Sequence, residues 1–355
     1  MVAELYDQDA MFWAKQGGIP WHGGVDGIGV EVEDGLTAVE ALELKNKRGV
    51  SLDWTLDKRP LYSEIDHEDG TKSYRKASVD GNGNYELIRS DNGRRVSYAT
   101  EGYEVFQNRE QAELVDSLME TGLLTIDTCG SLKNGKIVWF LAKIGESEVV
   151  PGDLVEQFIL CYTAHDGSSS FRLLPTNVRV VCHNTSTEAL RKGRGKGIAI
   201  KHTKNMRNYI RAATHQLGLA IQSSNESIEK YKQMAQIEMN AAQMTEFAKR
   251  VACFDIAEKN IRDEKTGELK PRIQNKVDQI LYKIHAGAGQ RGEIAGVRGT
   301  AWAAFNGMTD WANNERSTDG KTELARMENR LVSIVKGSSA RLIADSSKYL
   351  LELAA

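Results

Sequence analysis

The chain has 355 residues, of which 41 % are hydrophobic and 27 % charged, with a formal net charge of −3. This is the composition of a folded protein large enough for two adjoining cores, and its acidic balance excludes a uniformly basic nucleic-acid coat, so any polyanion site is a local patch. Cys129, Cys161, Cys182 and Cys253 lie far apart with no CxxC pair, which argues against a disulfide scaffold or a zinc ribbon. The acid-bearing start lacks the apolar core of a signal peptide, and no run reaches the ~18–20 apolar residues of a membrane span, so a cytoplasmic protein with no membrane partner is expected.

In chain order, "LTAVEAL" comes first, with Thr37 and Glu40 spaced as a capping box; it predicts a helix that stops at Gly49. "LDWTLDKRPLY" alternates as a strand ending near Pro60. Turns at Asp69-Gly70, "DGNGN" (80–84) and Asn92-Gly93 then punctuate a meander. "NREQAELVDSLMETG" reads as a helix with Asn108 as N-cap and Gly122 beyond its end. "CGSLKNGKIVWFLAKI" is the strongest hairpin signal, because Asn134-Gly135 suits a two-residue turn. Its second strand, apolar on both faces, belongs in the middle of a sheet. "EQFILCYT" and "NVRVVC" add strands, and Asp166-Gly167 reads as a hairpin turn joining "FILCYT" to "SFRLL". Thr185 and Glu188 then predict a short capped helix ending at Gly193.

Beyond residue 184 the pattern is helical up to the tail after Glu323, broken by the Gly-rich "HAGAGQRGEIAGVRG", which is expected to be a mobile loop. The fold class is therefore α+β. An N-terminal hairpin-rich antiparallel sheet domain packed on helices spans 1–183, and a helical region packed on it spans 184–355. No fixed-period repeat is present.

Two sets of residues carry chemistry. The first comprises His165, Asp166, Cys182, His183 and His202, weak candidates for a hydrolase or nuclease site. Cys182 and His183 are neighbours on a strand end and point to opposite faces, so His183 is badly placed as a base for Cys182. The alternation puts Cys182 with Val178 and Val180 on an apolar face. The set lacks zincin or zinc-finger spacing, and no G-x-x-x-x-G-K-[ST] sequence occurs, so neither a metal nor another cofactor is expected.

The second set is a basic segment, 189–225, with no Asp or Glu in a chain that averages one acid in about seven residues. It carries Arg191, Lys192, Arg194, Lys196, Lys201, Lys204, Arg207 and Arg211 with His202, and Arg179 precedes it. Glycines in "RKGRGKG" allow close backbone approach, and a helix expected to start with Thr203 as N-cap offers free N–H donors to an anion. Such a segment suits a nucleic-acid backbone. Tyr162, Phe171 and Tyr209 lie nearby as stacking candidates, with core packing the expected role of all three.

The motifs "IPWHGG", "VRVVCHNTSTEAL", "IKHTKNM" and "GTAWAAFNGMTDW", in that order, resemble a phage- and plasmid-associated family known as a domain of unknown function. The likeness covers about residues 8–345, with Gly24 standing where the family has Leu and with a peripheral insert around 63–92. It implies a phage or mobile-element product in a bacterial cytoplasm. By fold analogy, a hairpin-rich sheet with a basic rim is similar to the single-strand annealing proteins of phage recombination. The expectation is a non-enzymatic, homo-oligomeric protein that binds single-stranded DNA or RNA. A structural protein that contacts a host partner is the alternative.

Overall fold

The computed structural model describes residues 9–14, 29–79, 83–119, 124–179, 184–186, 198–214, 217–286, 294, 296–316, 329, 333 and 337–353, with backbone alone for 178–179, 184–186, 211–214 and 217–223. The strands lie in the first 200 residues and helices dominate the rest, so the fold is α+β. The largest sheet is built from β1 (Met11–Ala14), β2 (Gly29–Val32), β8 (Thr125–Leu132), β9 (Ile137–Glu148), β10 (Leu154–Ala164), β11 (Phe171–Arg179) and β12 (Asn184–Ser186). Their order is β12-β11-β10-β9-β8-β1-β2, and β13 (Ile198–Ile200) also pairs with β11. The doubly apolar strand β9 is interior, as its sequence requires. Between β1 and β8 in sequence lie β3 (Leu56–Pro60), β6 (Tyr85–Arg89) and β7 (Arg95–Ala99), which form a three-stranded sheet. The strands β4 (Tyr62–Asp66) and β5 (Lys72–Lys76) form a separate hairpin.

The chain divides into two compact units, one of Met1–Lys143, Ile159–Leu174 and Ile198–Gly218, the other of Ile144–Phe158, Pro175–Gly197 and Leu219–Ala355. In the first unit, α1 (Ala38–Glu43) opens on the expected capping box, with Thr37 Oγ1 accepting from Glu40 N at 3.1 Å and Glu40 Oε2 from Thr37 N at 2.8 Å. It ends at Glu43 rather than Gly49, because Asn46 Oδ1 accepts the N–H groups of Arg48 and Val50 and closes a turn instead. Helix α2 (Asn108–Met119) buries Gln111, whose amide donates to Cys161 O at 3.1 Å. Asn108 is not the N-cap. It is buried and donates to Leu52 O and Trp54 O, tying the helix start to the strand approach. Phe12, Leu52, Trp54, Leu87, Phe140 and Phe171 fill the core, each worth about 1.5–3 kcal/mol of apolar burial. Cys129 and Cys161 are buried and unpaired, and burial pushes both thiols up to about 12, so they act as small apolar residues.

The β8–β9 turn is wider than two residues: Leu132 pairs with Ile137, and Lys133, Asn134 and Gly135 all have left-handed φ. Asp9 imposes this shape. Its buried carboxylate accepts from Asn134 N at 2.9 Å, Gly135 N at 3.0 Å and Ser131 Oγ at 2.8 Å. Burial raises the Asp9 pKa, and those three bonds pull in the opposite direction. Gly135 is required twice over, since φ is +84° and a Cβ would sit 2.5 Å from the Trp54 ring, over which Arg89 also packs.

In the second unit, α4 (Leu217–Gln236), α5 (Ala241–Ala252), α6 (Pro271–His285), α7 (Ala301–Asp310) and α8 (Ser338–Glu352) surround a cluster that includes Tyr231, Phe247, Ile280, Trp302, Phe305 and Ile343. Asn240 and Gln243 make a capping box at α5, Pro271 occupies the first turn of α6, and Thr300 caps α7. Trp302 donates to the buried Asp153 at 2.7 Å and stacks on Tyr231 at 4.8 Å. Gly307 lets α7 lie against α6, because a Cβ there would approach Ile284 to 2.6 Å. Among the described residues no helix is long and apolar enough to cross a membrane.

Candidate nucleic-acid interface

The described part of the basic segment is β13, a corner at 201–205, α3 (Met206–Thr214) and the start of α4 at 217–225. β13 pairs antiparallel with β11, Phe171 opposite Ile200 and Leu173 opposite Ile198. Ile200, Met206 and Ile210 are buried and anchor the segment through one face. The helix begins at Met206, three residues beyond Thr203. Thr203 instead accepts Met206 N through its carbonyl and so belongs to the corner rather than to a cap.

His202 is the pin of this corner. Its Nδ1 lies 3.2 Å from Glu104 O, a group that only accepts, so Nδ1 carries the proton and Nε2 faces Thr163 Oγ1 at 3.4 Å. Tyr103 stacks on the ring at 4.9 Å, and Glu104 N donates back to His202 O. Burial lowers the His202 pKa against the raising effect of the Glu104 bond, which leaves a neutral, enclosed ring. This geometry removes His202 from the expected phosphate contacts. Arg207 is likewise engaged, by Glu104, by Glu110 at 2.6 Å and by Val105 O at 3.3 Å. Those carboxylates raise its pKa further and engage its donors, so Arg207 ties α3 to α2 and to the segment before it.

Lys201 and Lys204 remain. Both are exposed, and neither ammonium has an ion-pair partner among the described residues. Tyr162 and Phe171 are buried as expected, but Tyr209 is 59 % exposed, because Met206 and Ile210 take the inner face of α3. Arg179 and Arg211 have their backbones in β11 and α3, with side chains outside the described residues. Arg191, Lys192, Arg194 and Lys196 lie outside them altogether. The partners that shape the corner, Tyr103, Glu104 and Glu110, come from a stretch about a hundred residues earlier, and no local pattern announces them.

The second residue set does not join up among its described members. His165 is buried at the β10–β11 turn, with Nε2 3.0 Å from Asn108 Oδ1. Because the Asn108 amide nitrogen is spent on Leu52 O and Trp54 O, its oxygen accepts and His165 donates from Nε2. The Nδ1 lone pair is buried without a partner beside the Trp54 ring, 5.8 Å away between centroids. Burial, aided by the positive surroundings, takes the His165 pKa down to about 3. Asp166 is occupied locally, with Oδ1 accepting Ser168 N at 2.9 Å, and Gly167 has a φ of +72°, which together make the expected turn. Cys182 and His183 lie outside the described residues. Thr185 is not a helix cap: it stands in β12 opposite Val178. Among the described residues no group of three His, Cys, Asp or Glu side chains is placed to hold a metal ion.

No curated protein and no solved structure matches the chain. The sequence model of one family does match, over residues 96–336, about two thirds of the length, and that range contains the β8–β9 hairpin, the β13–α3 corner and the α7 helix. The chain belongs to the family described as Domain of unknown function (DUF932).

Proposed function

We propose that this protein binds single-stranded nucleic acid without catalysis, as an annealing-type protein of phage or mobile-element replication or recombination in the bacterial cytoplasm. One observation carries the reading. Lys201, Lys204 and Tyr209 stand exposed on a corner fixed by buried neighbours, while Arg207 engages the two nearby acids, Glu104 and Glu110. Two exposed cations with no ion-pair partner among the described residues, close in sequence to an exposed ring, offer a phosphate contact and a stacking surface. The sequence on either side adds Arg179, Arg191, Lys192, Arg194, Lys196 and Arg211 with no intervening acid from 189 to 225. Annealing requires screened phosphates and accessible bases, not an acid–base pair. The neutral, enclosed states of His165 and His202 accord with that.

The test is fluorescence anisotropy on a labelled oligonucleotide over a salt series. Each lost phosphate contact lowers the slope of log K against log salt by about 0.7 on a single strand, so Lys201→Gln with Lys204→Gln lowers it by about 1.4. Tyr209→Ser removes stacking of about 1–3 kcal/mol per base. Unchanged affinity and slope in the double lysine variant, with unchanged affinity in Tyr209→Ser, would remove the basis of the proposal.

A further inference from the structure

The β4–β5 hairpin has no visible reason to be stable by itself. Two strands of five residues without a third strand or a covering helix are marginal in water, yet every residue of both strands except Ser73 is exposed. Tyr62 is 60 %, Tyr74 66 % and Ile65 39 % exposed, three of the five large apolar side chains exposed among the described residues. Contacts with the rest of the unit gather at the base, where Leu61 N donates to Asn84 O, Ala77 N donates to Leu61 O, and Lys76 Nζ lies 3.1 Å from Tyr85 Oη.

The register sorts charge by strand. Tyr62 pairs with Lys76, Glu64 with Tyr74 and Asp66 with Lys72. Directly paired residues share a face, so one face carries Tyr62, Glu64 and Asp66 along β4 and Lys72, Tyr74 and Lys76 along β5. The acids of this face are all on one strand and the cations all on the other. Within the hairpin Lys72 pairs with Glu64 and lies 3.7 Å from Asp66, and Tyr74 Oη donates to Glu64 at 3.0 Å.

We propose that this face is a self-association surface whose occupant is the same hairpin of a second copy of the chain. A two-fold axis running along the strands places β4 of one copy over β5 of the other. Asp66 then meets Lys72, Glu64 meets Tyr74 and Tyr62 meets Lys76, repeating between copies the three pairs each hairpin makes internally. Such an isologous contact closes at two copies. It covers both tyrosines and turns a ribbon with no support into one layer of a two-layer stack. A nucleic acid fits the face less well, because Glu64 and Asp66 lie within it, and Glu68 and Asp69 crown the tip, where phosphates would be repelled.

The experiment is sedimentation velocity of the full chain over a concentration series. The native chain is expected to form dimers. Glu64→Lys with Asp66→Lys, and separately Lys72→Glu with Lys76→Glu, each set like charges face to face and should weaken dimerisation about tenfold or more, equal to ~1.4 kcal/mol. Mixing the two variants should restore the dimer, because position 66 then faces a residue of opposite sign at position 72 in both symmetry-related contacts, and a basic face meets an acidic one. A third chain, with β4–β5 excised and Leu61 joined to Ala77 by a short Gly–Ser linker, guards against loss of the hairpin fold. Those ends already share a hydrogen bond of 2.9 Å, so this chain should fold and stay monomeric. A native chain that is monomeric throughout, an excised chain that still dimerises, or a mixture that fails to recover would each overturn the proposal. So would weaker oligonucleotide binding by the excised chain at unchanged oligomeric state, which would assign the face to nucleic acid instead.

Discussion

Mild acid should weaken the first unit through one side chain. The His165 imidazole has a folded pKa of about 3 against an ordinary value of 6.5, because burial penalises the charged ring. Below pH 6.5 the unfolded chain takes up a proton that the folded chain refuses until about pH 3. The stability tied to the neutral ring is therefore complete above pH 6.5 and drains away as pH falls between those values. At 1.36 kcal/mol per pH unit, the loss is roughly 2 kcal/mol at pH 5 and ~4–5 kcal/mol near pH 3. His202, also lowered by burial, adds to it with the same sign. His165→Gln keeps an N–H donor for Asn108 Oδ1 and cannot titrate. Urea unfolding of both proteins at about pH 7.5 and about pH 5 isolates the effect: the stability advantage of the native chain over the variant should shrink by roughly 2 kcal/mol on acidification. A gap that stays constant within about 0.5 kcal/mol would mean that His165 is not a buried neutral ring.

Two further substitutions probe the second unit. Gly307→Ala places a methyl 2.6 Å from the Ile284 backbone nitrogen and should cost about 1–3 kcal/mol, read as a lower Tm; an unchanged Tm would show that α6 and α7 do not approach so closely. Trp302→Phe keeps the aromatic stack but removes the 2.7 Å indole bond to Asp153. A bond to a carboxylate of this kind is worth about 1.5–3 kcal/mol in denaturant unfolding, and a loss below about 0.5 kcal/mol would contradict the geometry.

How much of this was legible in the sequence depends on how local each feature is. The Thr37–Glu40 capping box and the Asp166-Gly167 turn involve partners within three residues, and both form as read. The central placement of β9 followed from a run apolar on both faces. Failures came where a distant group outcompeted the local one. Asn108 is a good cap by type, yet its side chain bonds to Leu52 and Trp54, more than fifty residues away. Thr185 has Glu188 at capping spacing, but β11 offers it a ladder partner at Val178, and strand pairing prevails. At the candidate interface, the lack of acids from 189 to 225 was visible in sequence. That Glu104 and Glu110 neutralise Arg207 across 103 and 97 residues was not. Tyr209 read as core because its spacing from Arg207 and Ile210 does not say which side of α3 faces inward.

The Asp9 carboxylate has a consequence for biosynthesis. Its acceptors wait for the amides of Asn134 and Gly135, 125 and 126 positions downstream, and β1 finds its antiparallel neighbour only when β8 exists. At translation speeds of about 5–20 residues per second, the opening segment leaves the ribosome on the order of ten seconds before its destination is made. During that interval the apolar Met11–Ala14 stretch has only β2 to pair with, and the edge that β8 will occupy stays open. Closure of the first unit is thereby held back until the β8–β9 turn has emerged, and nascent chains stalled before that point would carry Phe12 and Trp13 as ready targets for chaperones.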